Sequence, residues 1–194
     1  MKLFFFITLI SSCTTYQAQY SNPEEVEILD DKWNETDARK TAEILINAVI
    51  QKPWIYEFKG RYNKKPVVVV DHIENRTSEH IDSKAFEGYI TDELINSGKI
   101  RFINGEKREK ILKEIQYQNN SGMVSKQTAG RIGHQIGANF MMSGSISSQV
   151  HQRDGDKTVT YQTHLILTNL ETTEIIWSQK HLIKKRFQRS GLGW

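Results

Sequence analysis

Four consecutive valines, Val67-Val68-Val69-Val70, follow Pro66 and constrain the fold of this chain more than any other stretch. A β-branched run that is apolar at every position reads as a central strand buried on both faces, because alternation is lost where neither face meets water. Such a strand needs cover on both sides, and the flanking sequence offers helices. Asn34 is a good N-cap, with Glu35 and Asp37 favouring the positive helix end. Ala38, Ala42, Leu45, Ala48 and Val49 then fall on one stripe. This helix has to end by Lys52, since the residue before Pro53 is pushed out of the α region. Trp54 and Phe58 are expected in a loop that lids the core.

Beyond the valines, residues 72–78 read as a polar turn. A second helix, capped near Asp82 or Ser83, turns Phe86, Ile90, Leu94 and Ile95 inward and stops at Ser97-Gly98. Residues 100–103 form a short strand. A third helix over residues 106–118 has Ile111, Leu112 and Ile115 inward, and Ser125 caps a fourth that ends at Ile136-Gly137. Residues 140–146 form a strand in which Gly144 signals a bulge or a close approach. Asp154-Gly155 is a hairpin turn, and residues 159–169 alternate, with Val159, Tyr161, Leu165 and Leu167 on one face. A last strand spans residues 175–187. These elements predict a single-domain α/β fold: one mixed sheet with a C-terminal antiparallel three-strand meander and four flanking helices.

Cys13 is the one cysteine of the 194 residues. No intramolecular disulfide and no cysteine-based zinc site can form, so packing and hydrogen bonds have to hold the domain. Before Cys13 stand a basic start (Lys2), an apolar run too short to cross a bilayer, and Ile10-Ser11-Ser12. An aliphatic residue and two small ones directly before a Cys look like a bacterial lipoprotein box. The expectation is a signal peptide over residues 1–12, acylation of Cys13, a short acidic tether to residue 32, a domain over residues 33–189 and a tail over residues 190–194.

Between Cys13 and Asp31 there are five acidic residues (Glu24, Glu25, Glu27, Asp30, Asp31) and no Lys or Arg. From Lys32 onward, 25 basic residues (all 26 except Lys2) face 18 acidic ones (the 23 less those five). The domain is therefore basic, which fits either a well-solvated surface or a face for an acidic partner. An export leader argues against nucleic acid as that partner.

Sequence signatures of catalysis are missing. There is no GxGxxG after a strand, no GxxxxGK[ST] and no GxSxG elbow. The histidines His72, His80, His134, His151, His164 and His181 are scattered, and none forms an i, i+4 metal pair. His72 and His80 with Asp71, Glu79 and Asp82 make the one acidic–imidazole cluster, at the place where open sheets often set ligand sites. A solvated loop whose side chains cap the next helix is the simpler reading.

Several segments together resemble the LpoB-type penicillin-binding protein activators, a family of outer-membrane lipoproteins. They are Asp30-Asp31-Lys32-Trp33-Asn34-Glu35-Thr36-Asp37, Lys52-Pro53-Trp54, Lys65-Pro66 with the valine run, and residues 75–82. Residues 95–102, 136–146 and 161–165 follow, and Asn169-Leu170-Glu171-Thr172 through Trp177 completes the set. The resemblance implies an α/β domain similar to the N-terminal domain of TolB, no catalysis and no cofactor. It implies a bifunctional (class A) penicillin-binding protein as partner, stimulated in peptidoglycan synthesis, and a lipid-anchored domain that faces the periplasm from the outer membrane. No small-molecule substrate is implied. Enteric members carry a long proline-rich linker after the lipidated Cys, whereas this tether is short, with Pro23 alone. A lipoprotein subunit of a secretion or envelope-assembly complex of CsgG-like or TolB-like type is the alternative.

For a docking surface, period two places Gln162, His164, Ser178, Lys180 and Lys184 on the solvent face of the meander. The run Lys184-Lys185-Arg186 is expected to extend it. A solvated sheet edge guarded by lysines would show the same pattern.

Overall fold

The structure is a computed structural model that describes residues 30–105, 107–131, 136–153 and 155–188, with residues 20, 22, 25, 26 and 28 before them. The leader, Cys13, most of the tether, His134 and the tail lie outside the described residues.

Helix α1 (Glu35–Ile50) starts where the sequence places it. The Asn34 side chain accepts from the Asp37 backbone amide at 2.9 Å, and the Asp37 carboxylate accepts from the Asn34 amide at 3.0 Å. This capping box satisfies two amide groups that a helix start leaves open. A second helix, α2 (Trp54–Tyr62), follows at once in place of the expected loop. Pro53 stops α1 but also presets the φ that opens the next helix, so one residue serves as terminator and initiator. Asn63, at φ 50, ends α2 in the left-handed region that Asn tolerates.

Strand β1 (Val67–Asn75) leads to α3 (Ser83–Asn96), capped by Asp82, and then to the two-residue β2 (Arg101–Phe102). Helix α4 (Arg108–Asn120) precedes a meander of three long strands, β3 (Phe140–Arg153), β4 (Asp156–Asn169) and β5 (Ile175–Gln188). The sheet order is β2-β1-β3-β4-β5, parallel from β2 through β3 and antiparallel from β3 to β5. The single-domain mixed α/β architecture matches the sequence expectation, with four helices among the described residues.

The helices are not the four expected. Residues 125–131 form a turn, with the amides of Thr128 and Ala129 both donating to the Ser125 carbonyl. The end of α4 captures this turn. Gln118 accepts from the Gly130 amide at 2.8 Å, and the Asn119 amide donates to the Gly130 carbonyl at 2.8 Å. Residues 132–135 of the expected helix lie outside the described residues. In α4 no residue is buried, and Ile111 and Leu112 are exposed rather than inward. In α3, Phe86, Ile90 and Leu94 are buried as expected, whereas Ile95 is exposed.

One core lies on one side of the sheet. Ala42, Leu45, Ile46 and Val49 of α1, Trp54 and Phe58 of α2, and Phe86 and Ile90 of α3 pack on Val68, Met142, Ile146, Leu165 and Leu167. Trp54 and Phe58 both meet Phe140 edge-on, at centroid distances of 5.0 and 5.5 Å. Val67 and Val68 are buried and Val69 and Val70 half-buried; Val68 and Val70 face the helix layer, and Val67 and Val69 the other side. Residue 105 covers Val69 on the other face: a Cβ there would sit 2.9 Å from Val69 Cγ2, so the approach needs glycine. Gly144 makes the close contact that its mid-strand position signals, since a Cβ would meet the His164 carbonyl oxygen at 2.4 Å. Beside it the β1–β3 register shifts between Val70 and Ile73.

Candidate docking face and tether root

Antiparallel registration of the meander decides which side chains share a face. On β4 and β5, Thr160 lies opposite Lys184, Gln162 opposite Leu182, His164 opposite Lys180 and Ile166 opposite Ser178. On β3, Ser147, Ser145 and Ser143 lie opposite Gln162, His164 and Ile166. All these positions alternate with the buried Val159, Tyr161, Thr163, Leu165 and Leu167, so they form the face turned away from the helices. Gln162, His164, Ser178, Lys180 and Lys184 thus share one face, as period two expects. Arg186, opposite Thr158, joins them, and its guanidinium meets the Asp156 carboxylate at 2.7 Å. That contact holds the Asp156 carboxyl below its usual range.

Lys185 does not join them. It lies opposite Val159, points to the helix side and is 5% exposed. Its ammonium sits 2.6 Å from the Asp37 carboxylate and donates to the Lys32 carbonyl. Lys184-Lys185-Arg186 is therefore not one basic run: period two sends its middle residue into the fold.

The face itself is chemically simple. Three serines on β3 keep it flat, and Leu182 stands 59% exposed between Lys180 and Lys184. Sequence reasoning passed over Leu182, although it is the apolar residue at an outward period-two position of β5. His164 Nε2 is 2.7 Å from Ser178 Oγ. Burial, and next the Lys180 ammonium opposite, hold the His164 imidazole below its ordinary value, which favours the neutral ring.

A second construction lies on the helix side, where the chain enters the domain. Asp31 pairs with Lys157 of β4, which holds its carboxyl below the usual range. The Asp31 carbonyl accepts from the Tyr161 hydroxyl at 3.0 Å, and Glu79 accepts from the same hydroxyl and from the Trp33 amide. The Trp33 ring packs edge-on against Phe86 and Tyr161. Burial first, then the Glu79 carboxylate, raise the Tyr161 phenol far above its ordinary value. Residues 31–33 are therefore part of the domain rather than of a free tether.

The acidic–imidazole cluster begins within β1 rather than after it, because the strand runs on through Asn75 where a polar turn is expected, and its members are divided among structural tasks. His72 Nδ1 is 2.9 Å from Glu87, which also accepts from the Ile73 amide. Asp82 caps α3 and Glu79 holds Trp33 and Tyr161. Among the described residues no group of three or more His, Cys, Asp and Glu side chains is placed to share a metal ion. At the opposite end of the sheet a cleft of about 500 Å³ opens between α2 and the β4–β5 turn, floored by Trp54, Phe58 and Phe140.

The family model for the peptidoglycan-synthase activator LpoB matches residues 37–183. The penicillin-binding protein activator LpoB of Escherichia coli K12 is 23% identical over 120 residues, 62% of this chain and 53% of the relative. The chain thus spans about half the length of the curated relatives it matches. Among solved structures, the C-terminal domain of Escherichia coli LpoB aligns with a TM-score of 0.45 at 18% identity, covering 76% of this chain and 98% of that one. Lipoprotein GNA1162 from Neisseria meningitidis aligns with a TM-score of 0.40 at 13% identity, covering 62% and 83%.

Proposed function

The chain belongs to the LpoB family of peptidoglycan-synthase activators, and from that premise we propose that it is a non-catalytic lipoprotein of the outer membrane. It is anchored through Cys13 and stimulates a bifunctional penicillin-binding protein by direct contact. The observation that carries this reading is the family match across residues 37–183, most of the described domain. The contact is made by the helix-free face of β3, β4 and β5. There an exposed Leu182 lies between Lys180 and Lys184, with Gln162, His164 and Arg186 around it. An apolar centre inside a polar, charged rim is the usual anatomy of a transient protein interface. Excess cations on this face suit an acidic partner surface, and charge of that kind acts mainly on encounter rate and specificity.

The test combines recovery and activity. Full-length anchored protein, pulled down from detergent-solubilised membranes, is expected to recover a penicillin-binding protein whose glycan polymerisation rises when the protein is added. Recovery of no synthase, with unchanged polymerisation, overturns the activator reading. The double variant Lys180→Glu/Lys184→Glu is expected to weaken recovery at least tenfold without changing thermal stability, about 1.4 kcal/mol of binding or more. Undiminished recovery overturns the assignment of this face.

A further inference from the structure

β5 is the edge strand of the sheet and pairs with β4 alone among the described residues. Over Ile175–Gln188 it carries Lys180, Lys184, Lys185 and Arg186 and no carboxylate. A second copy of β5 would bring like charges together, so an added strand has to be acidic. The chain supplies one. Residues 24–30 read Glu-Glu-Val-Glu-Ile-Leu-Asp, without a cation.

We propose that this acidic segment of the tether docks along the free edge of β5 as a sixth strand, parallel to β5. The root fixes both position and direction. Asp31 is pinned to Lys157, and Lys32 to Lys185, at the end of β5 where Lys157 lies opposite Phe187. A segment folding back from there runs beside β5 with Asp30 next to Arg186. Asp30 stands six positions after Glu24, and Arg186 six positions after Lys180. In that register Glu24 meets Lys180, Val26 meets Leu182, Ile28 meets Lys184 and Asp30 meets Arg186, all on the helix-free face. Leu182, Val26 and Ile28 are 59%, 50% and 58% exposed in the structure, so both members hold uncovered apolar side chains for the contact. The root also keeps the segment at an effective concentration in the millimolar range. Docked, the tether shields Lys180 and Lys184, so a partner that uses this face has to displace it; that consequence rests on the docking reading given above.

The full chain carrying Cys13→Ser, Val26→Cys and Leu182→Cys tests the dock directly. Under mild oxidation it is expected to form an intramolecular disulfide at least about tenfold faster than a register-shifted control with Val26→Cys and Ser178→Cys, as a millimolar local concentration implies. Adding Glu24→Gln, Glu25→Gln and Glu27→Gln, or raising the salt to about 1 M, is expected to slow it. Equal rates in the two cysteine pairs, or no dependence on charge and salt, overturn the dock whatever the synthase does. Deleting residues 14–29 is expected to tighten synthase binding several-fold. With the disulfide formed as expected, unchanged binding on that deletion overturns the assignment of this face to the synthase and leaves the dock standing.

Discussion

Replacing Lys185 with methionine should unfold this domain far more readily than the same change one residue earlier. The Lys185 side chain is 4% exposed, its ammonium lies 2.6 Å from Asp37, and it also donates to the Lys32 carbonyl. Removing one partner of a buried pair costs about 3–5 kcal/mol, because the other charge stays desolvated. The lower end applies, since Asp37 keeps the Asn34 amide as a donor and sits at a helix N-terminus that favours negative charge. A loss of about 3 kcal/mol corresponds to roughly 6–12 °C in Tm for a domain of this size. Lys184→Met, on the open face, is expected to stay within about 0.5 kcal/mol of the parent. Thermal and urea unfolding of the full chain with Cys13→Ser, followed by circular dichroism, measures both. Lys185→Met/Asp37→Asn should recover at least about 1 kcal/mol relative to the sum of the two single changes, because the orphaned charge is gone. If Lys185→Met proves no more costly than Lys184→Met, the buried pairing is wrong, and with it the assignment of Lys185 to the helix side.

Thr41, fully buried in α1, has a hydroxyl with no hydrogen-bond partner among the described residues; Thr41→Val keeps the shape and removes the desolvated group, so it should raise stability by about 1 kcal/mol in the same unfolding assays. His164 should titrate below the ordinary histidine range when its ring protons are followed by NMR. Because its folded pKa is depressed, its contribution to stability is complete above about 6.5 and is lost as pH falls through the folded value. Lys180→Ala should raise the His164 pKa only in part, since burial is the larger cause; an unmoved or lowered value would contradict the pairing across β4 and β5.

Local chemistry was readable in the chain, and long-range chemistry was not. The Asn34–Asp37 capping box, the Asp82 cap and the hairpin at Gly155 each depend on residues within three positions of one another, so spacing alone exposes them. The face shared by Gln162, His164, Lys180 and Lys184 was readable as well, because a strand alternates at a fixed period whatever its neighbours are. The same rule, applied one residue further, separates Lys185 from Lys184; a run of like charges conceals this by looking uniform. Periodicity misled in α4, where Ile111 and Leu112 keep helical spacing but stay exposed, and Ile115 is half-buried beside Gly130. It also failed at Pro53, where a stop signal and a start signal are the same residue. The contacts of Glu79 with Trp33 and Tyr161 join positions 46 and 82 residues apart, and no pattern in the chain marks such a meeting.

Those long-range contacts decide how an anchored domain would carry load. In a chain held at Cys13, tension reaches the domain first at Asp31 and Lys32. Their partners are Lys157 and Tyr161 on β4 and Lys185 on β5. Force therefore enters the middle and outer strands of the meander rather than the start of α1, three residues further on. β4 is bonded on both sides along its length, to β3 from Phe140↔Asn169 to Arg153↔Asp156 and to β5 from Asp156↔Gln188 to Thr168↔Ile175. Pull on it is shared among many ladder bonds, whereas a pull on α1 would strip a helix from the core turn by turn. The stretch from residue 14 to residue 29 measures about 55 Å if fully extended, against about 22 Å for a flexible coil of the same length. With residues 24–29 docked on β5, residues 14–23 remain, and the stretched span falls to about 35 Å. In that docked state one segment would set both reach and access to the basic face. A partner that displaces it from β5 would gain both the face and about 20 Å of additional reach.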